Sequence, residues 1–312
     1  MRRVLVTGAA GFIGSNLVKR LLDANNAVIG VDNFDAFYDP EIKRRNITSF
    51  LSNPDFTLHE GDIRDEGLMD KILNQTSPDC VVHLAARAGV RPSIDNPELY
   101  YDVNVTGTLK LLEAMRRQGV KKLVFASSSS VYGNNAKFPF SETDNVDNPV
   151  SPYAATKKAG ELLCYTYHHL YNFDIFCMRF FTVYGYNQRP EMAIQKFGRL
   201  IREGKPITMY GDGTTKRDYT YIDDITAGLM ASIDRVKGYE VINLGNHQTV
   251  MLRDLIQHIS EVIGKPAIIE QKPNQPGDVE LTYADVQKAK ELLDYEPKHP
   301  ITIGLRKMFS NQ

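Results

Sequence analysis

A tyrosine and a lysine that together could move a proton lie four positions apart in the chain. Tyr153 and Lys157 fall in a helix predicted from Ser151 to Tyr171, so one helix face presents both side chains. Tyrosine has an unperturbed pKa near ~10, and its use as a base at neutral pH needs a decrease of about three units, roughly 4 kcal/mol. The ammonium of Lys157 would favour the phenolate. Taken alone, such a pair is more often a surface feature, so its role depends on its neighbours.

Four consecutive serines, Ser127 to Ser130, end an apolar strand predicted from Lys122. A hydroxyl at the carboxyl end of a strand can hydrogen-bond a sugar hydroxyl and share its proton with Tyr153. Most of this run is equally well explained as a polar strand end. The spacing therefore predicts that a serine acts beside Tyr153, without selecting which one.

The first seventeen residues predict a strand, a tight turn and a helix. Gly8, Gly11 and Gly14 are spaced G-x-x-G-x-x-G, and the helix N-terminus after the turn would face a pyrophosphate. A second apolar strand, 27–31, ends in Asp32 at the distance expected for a carboxylate on an adenosine ribose. This pattern predicts an NAD site, since Asp32 would repel the extra phosphate of NADP. The positive ring of NAD would also favour a phenolate at Tyr153.

The elements that must position these groups alternate between strand and helix. Strands are predicted at 56–60, 80–84, 122–127 and 174–179, and helices at 66–74, 97–118 and 151–171. Alternation of this kind predicts an α/β, Rossmann-type, doubly wound parallel sheet, with the ligand at one edge. The loop 33–40 is rich in Asp, Phe and Tyr and is expected to fold over the adenosine end.

The alternation of strands and helices changes beyond about residue 180, where Pro and Gly become more frequent. The strand-like segments 219–222 and 239–244 are expected to rejoin the main sheet. We therefore predict an NAD-binding domain of residues 1–179, which about 218–250 rejoin. A smaller, interleaved α/β substrate domain would comprise 180–217 and 251–312.

Composition excludes several classes of protein. A net charge of −1 gives no electrostatic basis for binding nucleic acid or an anionic membrane. The sequence has no apolar run of roughly 20 residues and begins directly on a strand, so a cytoplasmic location is expected. Cys80, Cys164 and Cys177 are expected to be buried thiols. No cluster has metal-ligand spacing, so no metal site is expected.

The order of the motifs resembles the extended short-chain dehydrogenase/reductase family that acts on nucleotide sugars. The resemblance covers essentially the whole chain. It is carried by the glycine turn, Asp32, Gly61-Asp62-Ile63, His83-Leu84-Ala85-Ala86, Ser128 with Val131-Tyr132-Gly133, Tyr153 with Lys157, and Arg217-Asp218-Tyr219. Within the family, the segments 83–91, 179–185 and 217–224 most resemble the UDP-glucuronate 4-epimerases.

The resemblance implies an NAD site and a catalytic trio. To the cofactor it assigns Gly8, Gly11, Phe12, Ile13, Gly14, Asp32, Asn33, Asp62, Ile63, Leu84, Ala85, Ala86, Tyr153 and Lys157. Asp32 would contact the ribose, and Asp62 and Ile63 would flank the adenine. The catalytic trio would be Ser128, Tyr153 and Lys157, with Ser128 selected because it lies four residues before Tyr132.

The same resemblance implies a site for a UDP-sugar. To the substrate it assigns Arg87, Ser128, Thr182, Arg189, Arg217 and Asp278. Arg217 and Asp278 would reach the UDP moiety. Arg189 would face the sugar, where its planar pair of donors suits a carboxylate. The alternative is a solvated loop arginine paired with Glu191. Arg87 is a basic candidate near the diphosphate or the carboxylate.

The resemblance implies NAD-dependent 4-epimerisation of a UDP-hexose, UDP-glucuronate to UDP-galacturonate, through a transient 4-keto sugar. The family's 4,6-dehydratases carry Asp and Glu after the catalytic hydroxyl residue, and its decarboxylases usually keep the Glu. Ser129 and Ser130 occupy those positions and supply neither acid nor base at neutral pH. A homodimer is expected.

Three alternatives stay open. A UDP-glucose/UDP-galactose 4-epimerase shares nearly every motif, and only Thr182, Arg189 and Gln275 oppose it, Thr182 standing where those enzymes usually carry Asn. A nucleotide-sugar decarboxylase or dehydratase is opposed by Ser129 and Ser130. A redox-sensing binding protein would have no need for the catalytic trio.

Overall fold

The computed structural model, which describes residues 1–273 and 280–310, is built around one large parallel sheet. In chain order the strands are β1 (Arg3–Thr7), β2 (Ala27–Asp32), β3 (Phe56–Glu60), β4 (Cys80–His83), β5 (Lys122–Ser128), β6 (Asp174–Phe180), β7 (Thr182–Tyr184), β8 (Ile207–Tyr210), β9 (Lys216–Tyr221), β10 (Tyr239–Leu244), β11 (Thr249–Met251) and β12 (Ile269–Lys272). The α-helices are α1 (Phe12–Asp23), α2 (Pro40–Ile47), α3 (Glu66–Thr76), α4 (Val90–Asp95), α5 (Pro97–Tyr101), α6 (Gly107–Arg117), α7 (Pro152–Tyr171), α8 (Ala193–Arg202), α9 (Ile222–Arg235), α10 (Leu252–Ile263), α11 (Gln287–Leu293) and α12 (Ile301–Phe309).

Seven strands form the large sheet in the order β10-β6-β5-β4-β1-β2-β3, and all neighbours run parallel. Strand β1 lies inside this sheet, and Val4, Leu5 and Val6 have no exposed surface. Val4 and Val6 pack with α1 and α9 on one face, whereas Leu5 packs with α3 and α6 on the other. Burial on both faces explains why the strand is apolar without alternation. The predicted Rossmann-type doubly wound fold is confirmed.

The order of the strands reverses between β1 and β4. From β1 the chain proceeds outward through β2 and β3, and it then crosses over to continue from β4 in the opposite direction. The loops that follow β1 and β4 therefore diverge, which leaves a crevice at the carboxyl ends of the strands. This crevice is where the fold places a ligand.

The remaining strands form two smaller sheets beside the large one. One has the order β11-β9-β7, and the other pairs β12 with β8. Their helices bury Phe197 of α8, Leu255 of α10 and Leu305 of α12 in the same apolar cluster as one face of the large sheet. This shared core fits the interleaved arrangement that the sequence predicts. The predicted residue boundaries of the two domains stay a prediction.

Of the two segments expected to rejoin the large sheet, one does. Strand β10 pairs with β6, as predicted for 239–244. The prediction for 219–222 is wrong, because β9 pairs with β7 and β11 instead. The free edge of β6 is already occupied by β10. The buried carboxylate of Asp218 also accepts N–H groups from Asn246 and Ala284, and these hydrogen bonds hold β9 against the segments that contain those two residues.

The helix predicted at 97–118 changes its winding midway. It is formed by α5 and α6, with a π-helical turn at Asp102–Thr106 between them.

Cys80, Cys164 and Cys177 are buried free thiols, as predicted. Among residues 1–273 and 280–310, no helix combines the length and apolarity required to cross a membrane.

Candidate active site

A cleft of about 540 Å³ opens at the carboxyl ends of the strands. The predicted residues that line it are Gly8, Gly11, Phe12, Ile13, Gly14, Asp32, Asn33, Asp62, Ile63, Leu84, Ala85, Ala86, Arg87, Ser128, Tyr153, Lys157, Thr182, Arg189 and Arg217. The structure thus brings the predicted cofactor and substrate residues into one cavity. Asp278 and Gln275 lie outside the described residues.

The glycine turn after β1 packs so closely against neighbouring backbone that positions 8 and 14 have no room for a side chain. Gly8 has a φ of +70°, and a Cβ there would lie 2.8 Å from the backbone nitrogen of Ala85. A Cβ on Gly14 would lie 2.0 Å from the carbonyl oxygen of Gly8, so α1 packs directly on the turn. Helix α1 begins at Phe12 without a side-chain cap, so its first N–H groups can bind an anion. This cradle fits a dinucleotide pyrophosphate.

Asp32 ends β2 and is buried at the rim of the same crevice. Its two carboxylate oxygens accept the N–H groups of Ala10 and Phe34, each at 2.9 Å. Burial raises the pKa of Asp32, whereas these hydrogen bonds and the nearby Lys43 ammonium oppose the rise. Each carboxylate oxygen has a second lone pair, so Asp32 can still accept a ribose hydroxyl.

Asp62 is held as a carboxylate farther along the rim. Arg64 donates to both of its oxygens, at 2.9 and 2.7 Å, and Asn33 donates to one of them at 2.9 Å. The hydrogen bond from Arg64 lowers the pKa of Asp62 to about 2. The predicted adenosine residues Asn33 and Asp62 are therefore linked directly to each other.

His83 holds the ends of the two central strands together. Its Nδ1 lies 2.7 Å from the hydroxyl of Thr7, and its Nε2 lies 3.0 Å from the hydroxyl of Thr108. Burial lowers the pKa of His83 to about 3, so the ring is neutral at physiological pH. This arrangement gives His83 a structural role between the strands.

Asn104 is a site residue that the sequence analysis missed. It lies in the π-helical turn, is buried, and exchanges two hydrogen bonds with the backbone of Arg87, at 2.7 and 2.9 Å. Its amide also donates to Thr156 on α7 at 3.0 Å. Asn104 thereby joins the loop after β4 to the helix that carries Tyr153. A buried polar residue within a predicted helix was the only available signal.

Helix α7 presents the tyrosine and the lysine to the cleft. The Ser151 hydroxyl caps the helix by accepting the N–H of Ala154 at 3.1 Å, and Pro152 follows at the first turn. The ammonium of Lys157 donates to the carbonyl of Ala126 at 2.7 Å and lies 6.0 Å from the centre of the Tyr153 ring. The predicted placement of the pair on one helix face is confirmed.

Burial opposes the ionisation of both groups. It raises the pKa of Tyr153, although a hydrogen bond from Ser128 and the charge of Arg189 act in the opposite direction. Burial also lowers the pKa of Lys157 to about 8, so the lysine is mostly cationic at neutral pH. The protein groups alone therefore leave the pKa of Tyr153 above its ordinary value, and the lowering predicted from the sequence relied on the charge of the nicotinamide as well as on Lys157. The positive charge of an oxidised nicotinamide would have to supply the rest.

The structure distinguishes among the serines that end β5. The hydroxyl of Ser127 donates to Glu161 at 2.6 Å, within a buried ion pair between Glu161 and Arg179. Ser128 lines the cleft, caps the following turn by accepting the N–H of Ser130 at 3.2 Å, and acts to lower the pKa of Tyr153. This geometry favours Ser128 over Ser127 as the hydroxyl that acts with Tyr153.

Three arginines line the same cleft. Arg189 pairs with Glu191 at 3.3 Å, yet its side chain is only 18% exposed. Arg189 therefore lies in the cleft, and it also forms the ion pair with Glu191 that the alternative interpretation predicted. Arg87 pairs with Asp35 at 3.0 Å. Arg217 donates to the carbonyl of Lys216 at 2.9 Å and lines the cleft from β9.

The loop expected to cover the adenosine end reaches farther than predicted. Asp35, Phe37 and Tyr38 all line the cleft, and the ring of Phe37 lies 5.6 Å from the guanidinium of Arg189. The loop therefore extends from Asp32 to Arg189. Within the part of the chain that the structure describes, no group of three or more His, Cys, Asp or Glu side chains is placed to hold a metal ion.

The fold and the dinucleotide cradle define an NAD-dependent enzyme of the nucleotide-sugar type, and the chain belongs to the NAD-dependent epimerase/dehydratase family, whose model matches residues 4–245. It is 48% identical over 304 residues to UDP-glucuronate 4-epimerase of Thermodesulfobacterium geofontis (strain OPF15), covering 97% of this chain and 94% of that protein.

Two solved structures show the same fold. UDP-glucuronic acid 4-epimerase from Bacillus cereus, in complex with UDP-glucuronic acid and NAD, matches with a TM-score of 0.93 and 38% identity, over 99% of this chain and 98% of that chain. UDP-glucose 4-epimerase from Thermotoga maritima, with UDP-glucose, matches with a TM-score of 0.90 and 33% identity, over 98% and 97%. The chain is thus similar to epimerases of both substrate classes.

Proposed function

We propose that this enzyme interconverts UDP-glucuronate and UDP-galacturonate by NAD-dependent epimerisation at C4. The observation that carries the proposal is the convergence of Ser128, Tyr153 and Lys157 with Arg189 in one cleft, directly beside the glycine cradle. The first three can move a proton, and the fourth can bind a carboxylate. The similarity to UDP-glucuronate 4-epimerases supports this substrate.

The residues that would hold NAD are those of the cradle and the rim. Gly8 and Gly14 leave room for the pyrophosphate, α1 offers its N–H groups, and Asp32 would accept the ribose hydroxyl. When bound, NAD supplies an acceptor for hydride from C4 of the sugar and returns it later. Because the cofactor ends as it began, the chain needs no second substrate.

The proton is handled by side chains of this chain. Tyr153, as phenolate, would take the proton from the C4 hydroxyl, and Ser128 would hydrogen-bond the same oxygen. Lys157 stabilises the phenolate by its charge. After the 4-keto sugar has turned over in the cleft, Tyr153 returns the proton to the oxygen at C4. The same residues therefore serve both halves of the reaction.

The substrate groups are assigned by charge. Arg189 and Thr182 would hold the carboxylate on the C5 side of the sugar, Arg87 would lie near the diphosphate or that carboxylate, and Arg217 with Asp278 would bind the UDP moiety. A buried arginine–carboxylate contact is stronger than an exposed one because little water competes for it. The exposed Glu191 is then a weak competitor for Arg189.

The second candidate is a UDP-glucose/UDP-galactose 4-epimerase, which the similarity to the Thermotoga maritima enzyme favours. Separate incubations with UDP-glucuronate and UDP-glucose, followed by separation of the products, distinguish the two candidates. Conversion of UDP-glucuronate to UDP-galacturonate at the higher kcat/KM is expected. Faster turnover of UDP-glucose would replace the first proposal by the second.

The protein is expected to prefer NAD to NADP, because the carboxylate of Asp32 would repel a phosphate on the ribose. NAD that is regenerated in every turnover should remain bound through purification. Mass spectrometry of the extract from denatured protein should therefore find NAD. Asp32→Ser should narrow the difference in affinity between the two cofactors. Recovery of NADP from the wild type would contradict the assignment of Asp32.

We also propose a cytoplasmic homodimer. The three buried free thiols fit a reducing compartment. Two neighbouring helices expose large apolar side chains, Leu109 on α6 and Leu162 and Tyr165 on α7. Such side chains on adjacent helices are suited to an interface between copies.

Leu162→Glu is expected to weaken the dimer, because it places a charge in the proposed interface. Light scattering after size exclusion should show the mass shift toward a single chain at low protein concentration. Ile303→Glu is the matched control, since Ile303 is also an exposed apolar side chain but lies on α12. Equal masses for the two variants would show that the interface does not include Leu162.

A further inference from the structure

The loop between Asp32 and α2 is built from successive side-chain-to-backbone turns. Asn33 accepts the N–H of Asp35 at 3.0 Å, and Asp35 accepts the N–H of Phe37 at 2.8 Å. The ammonium of Lys43 donates to the carbonyl of Asp35 at 2.8 Å and is itself almost completely buried. These contacts give the loop one defined path from the cofactor rim to the sugar side.

At the end of this path, two guanidinium groups lie over the ring of Phe37. Arg87 is 5.3 Å from the ring centre and Arg189 is 5.6 Å away. Arg87 is also held by Asp35 of the same loop, at 3.0 Å. Arg189 has Glu191 as its ionic partner, and Glu191 is 46% exposed.

We propose that Phe37 is a positioning residue for Arg189 and thereby determines the preference for a sugar that carries a carboxylate. This inference rests on the proposed contact between Arg189 and that carboxylate. A guanidinium beside an aromatic face is attracted to it, while its N–H groups remain available to an anion. Without the ring, Arg189 would follow the exposed Glu191 toward solvent.

The chain offers a matched control for this role. Phe34 lies in the same loop and also carries an arginine on its ring, Arg44, at 4.2 Å. Arg44 pairs with Glu60, and neither Phe34 nor Arg44 lines the cleft. Loss of this second ring thus removes a comparable stack outside the cleft, while the backbone N–H of Phe34 that Asp32 accepts is kept.

The test compares Phe37→Leu, Phe37→Tyr and Phe34→Leu with the wild-type holoenzyme, with rates expressed per mole of bound NAD. Phe37→Leu should raise KM for UDP-glucuronate by about fivefold or more, the factor that corresponds to the upper end of the range for an exposed arginine–aromatic contact, with kcat within about twofold. The inhibition constant of UDP, which has no sugar carboxylate, should change by less than about twofold. Phe37→Tyr keeps the ring and should restore KM, and Phe34→Leu should leave it unchanged.

The possible failures are distinguishable. If the wild type does not convert UDP-glucuronate, the proposed function is wrong. If the wild type converts it and Arg189→Ala is impaired, an unchanged KM in Phe37→Leu overturns the role of Phe37 alone. An equal loss of UDP binding in Phe37→Leu also overturns it, because the loop would then serve the whole ligand.

Discussion

Tyr153→Phe is expected to lower turnover of UDP-glucuronate by about 10²-fold or more, while the binding of UDP-sugar and NAD persists. The substitution removes the proton acceptor and keeps the ring, which packs edge to face against Tyr100 at 6.3 Å between centroids. Steady-state rates, together with the NAD content of the purified variant, measure the two effects separately. Near-normal turnover at neutral pH would remove Tyr153 from the mechanism.

The pH dependence provides the accompanying test. Burial raises the pKa of Tyr153, so a higher pH is needed to form the reactive phenolate. The cation of Lys157, whose pKa is lowered to about 8, favours the phenolate below that pH. Lys157→Met removes this cation, so the rising limb of the pH–rate profile should move to higher pH. Folding of the variant is checked by its circular dichroism, and an unmoved limb would exclude an electrostatic role for Lys157.

Features encoded within one short segment were predictable from the sequence. The glycine spacing at Gly8 and Gly14, the carboxylate at Asp32, and the four-residue spacing of Tyr153 and Lys157 each depend on local geometry. Steric fit in the turn and the period of a helix are properties of the segment itself. The structure places all of these groups in one cleft.

Features that depend on distant contacts were not predictable in the same way. The partner of β9 depends on β10 already occupying the edge of β6, which no local pattern encodes. Asn104 acts through Arg87 and Thr156, which are remote in sequence. The direction of the shift in the pKa of Tyr153 depends on burial in the whole fold, which outweighs the opposing effects of Ser128 and Arg189.

The reach of the loop after β2 is a further example of this limit. Its composition predicted that it covers the adenosine. The contact of Phe37 with Arg189 could not be predicted in this way, because it depends on how the fold brings together two segments that are remote in sequence. Ser128 illustrates the opposite situation. The family motif selected it, and the engagement of Ser127 by Glu161 gives an independent structural reason for the same choice.

Arg189→Ala is expected to lower kcat/KM for UDP-glucuronate by about tenfold or more, the factor that ~1.4 kcal/mol produces. A charge-assisted contact in a cleft of low dielectric is worth about 1.5–3 kcal/mol, so the loss is well within reach of one guanidinium. Binding of UDP, measured as competitive inhibition, should be largely retained because Arg217 is unchanged. Equal effects of the substitution on UDP-glucuronate and UDP-glucose would disprove carboxylate recognition.

The chemistry of the intermediate makes this contact necessary for more than affinity. The 4-keto form of UDP-glucuronate is a β-keto acid, which loses CO₂ when the bond from C5 to the carboxylate aligns with the carbonyl π system. An epimerase must hold that carboxylate out of alignment while the ring turns over. Arg189 offers a fixed pair of donors, and Thr182, which lines the same cleft at the start of β7, offers one more. Thr182→Val, assayed with added NAD, should therefore release CO₂ and a measurable fraction of UDP-4-keto-pentose alongside UDP-galacturonate, with one NAD left reduced for each keto-pentose released. Mass spectrometry of the products detects the keto-pentose. If Thr182→Val forms no more of this product than the wild type does, Thr182 does not control the carboxylate.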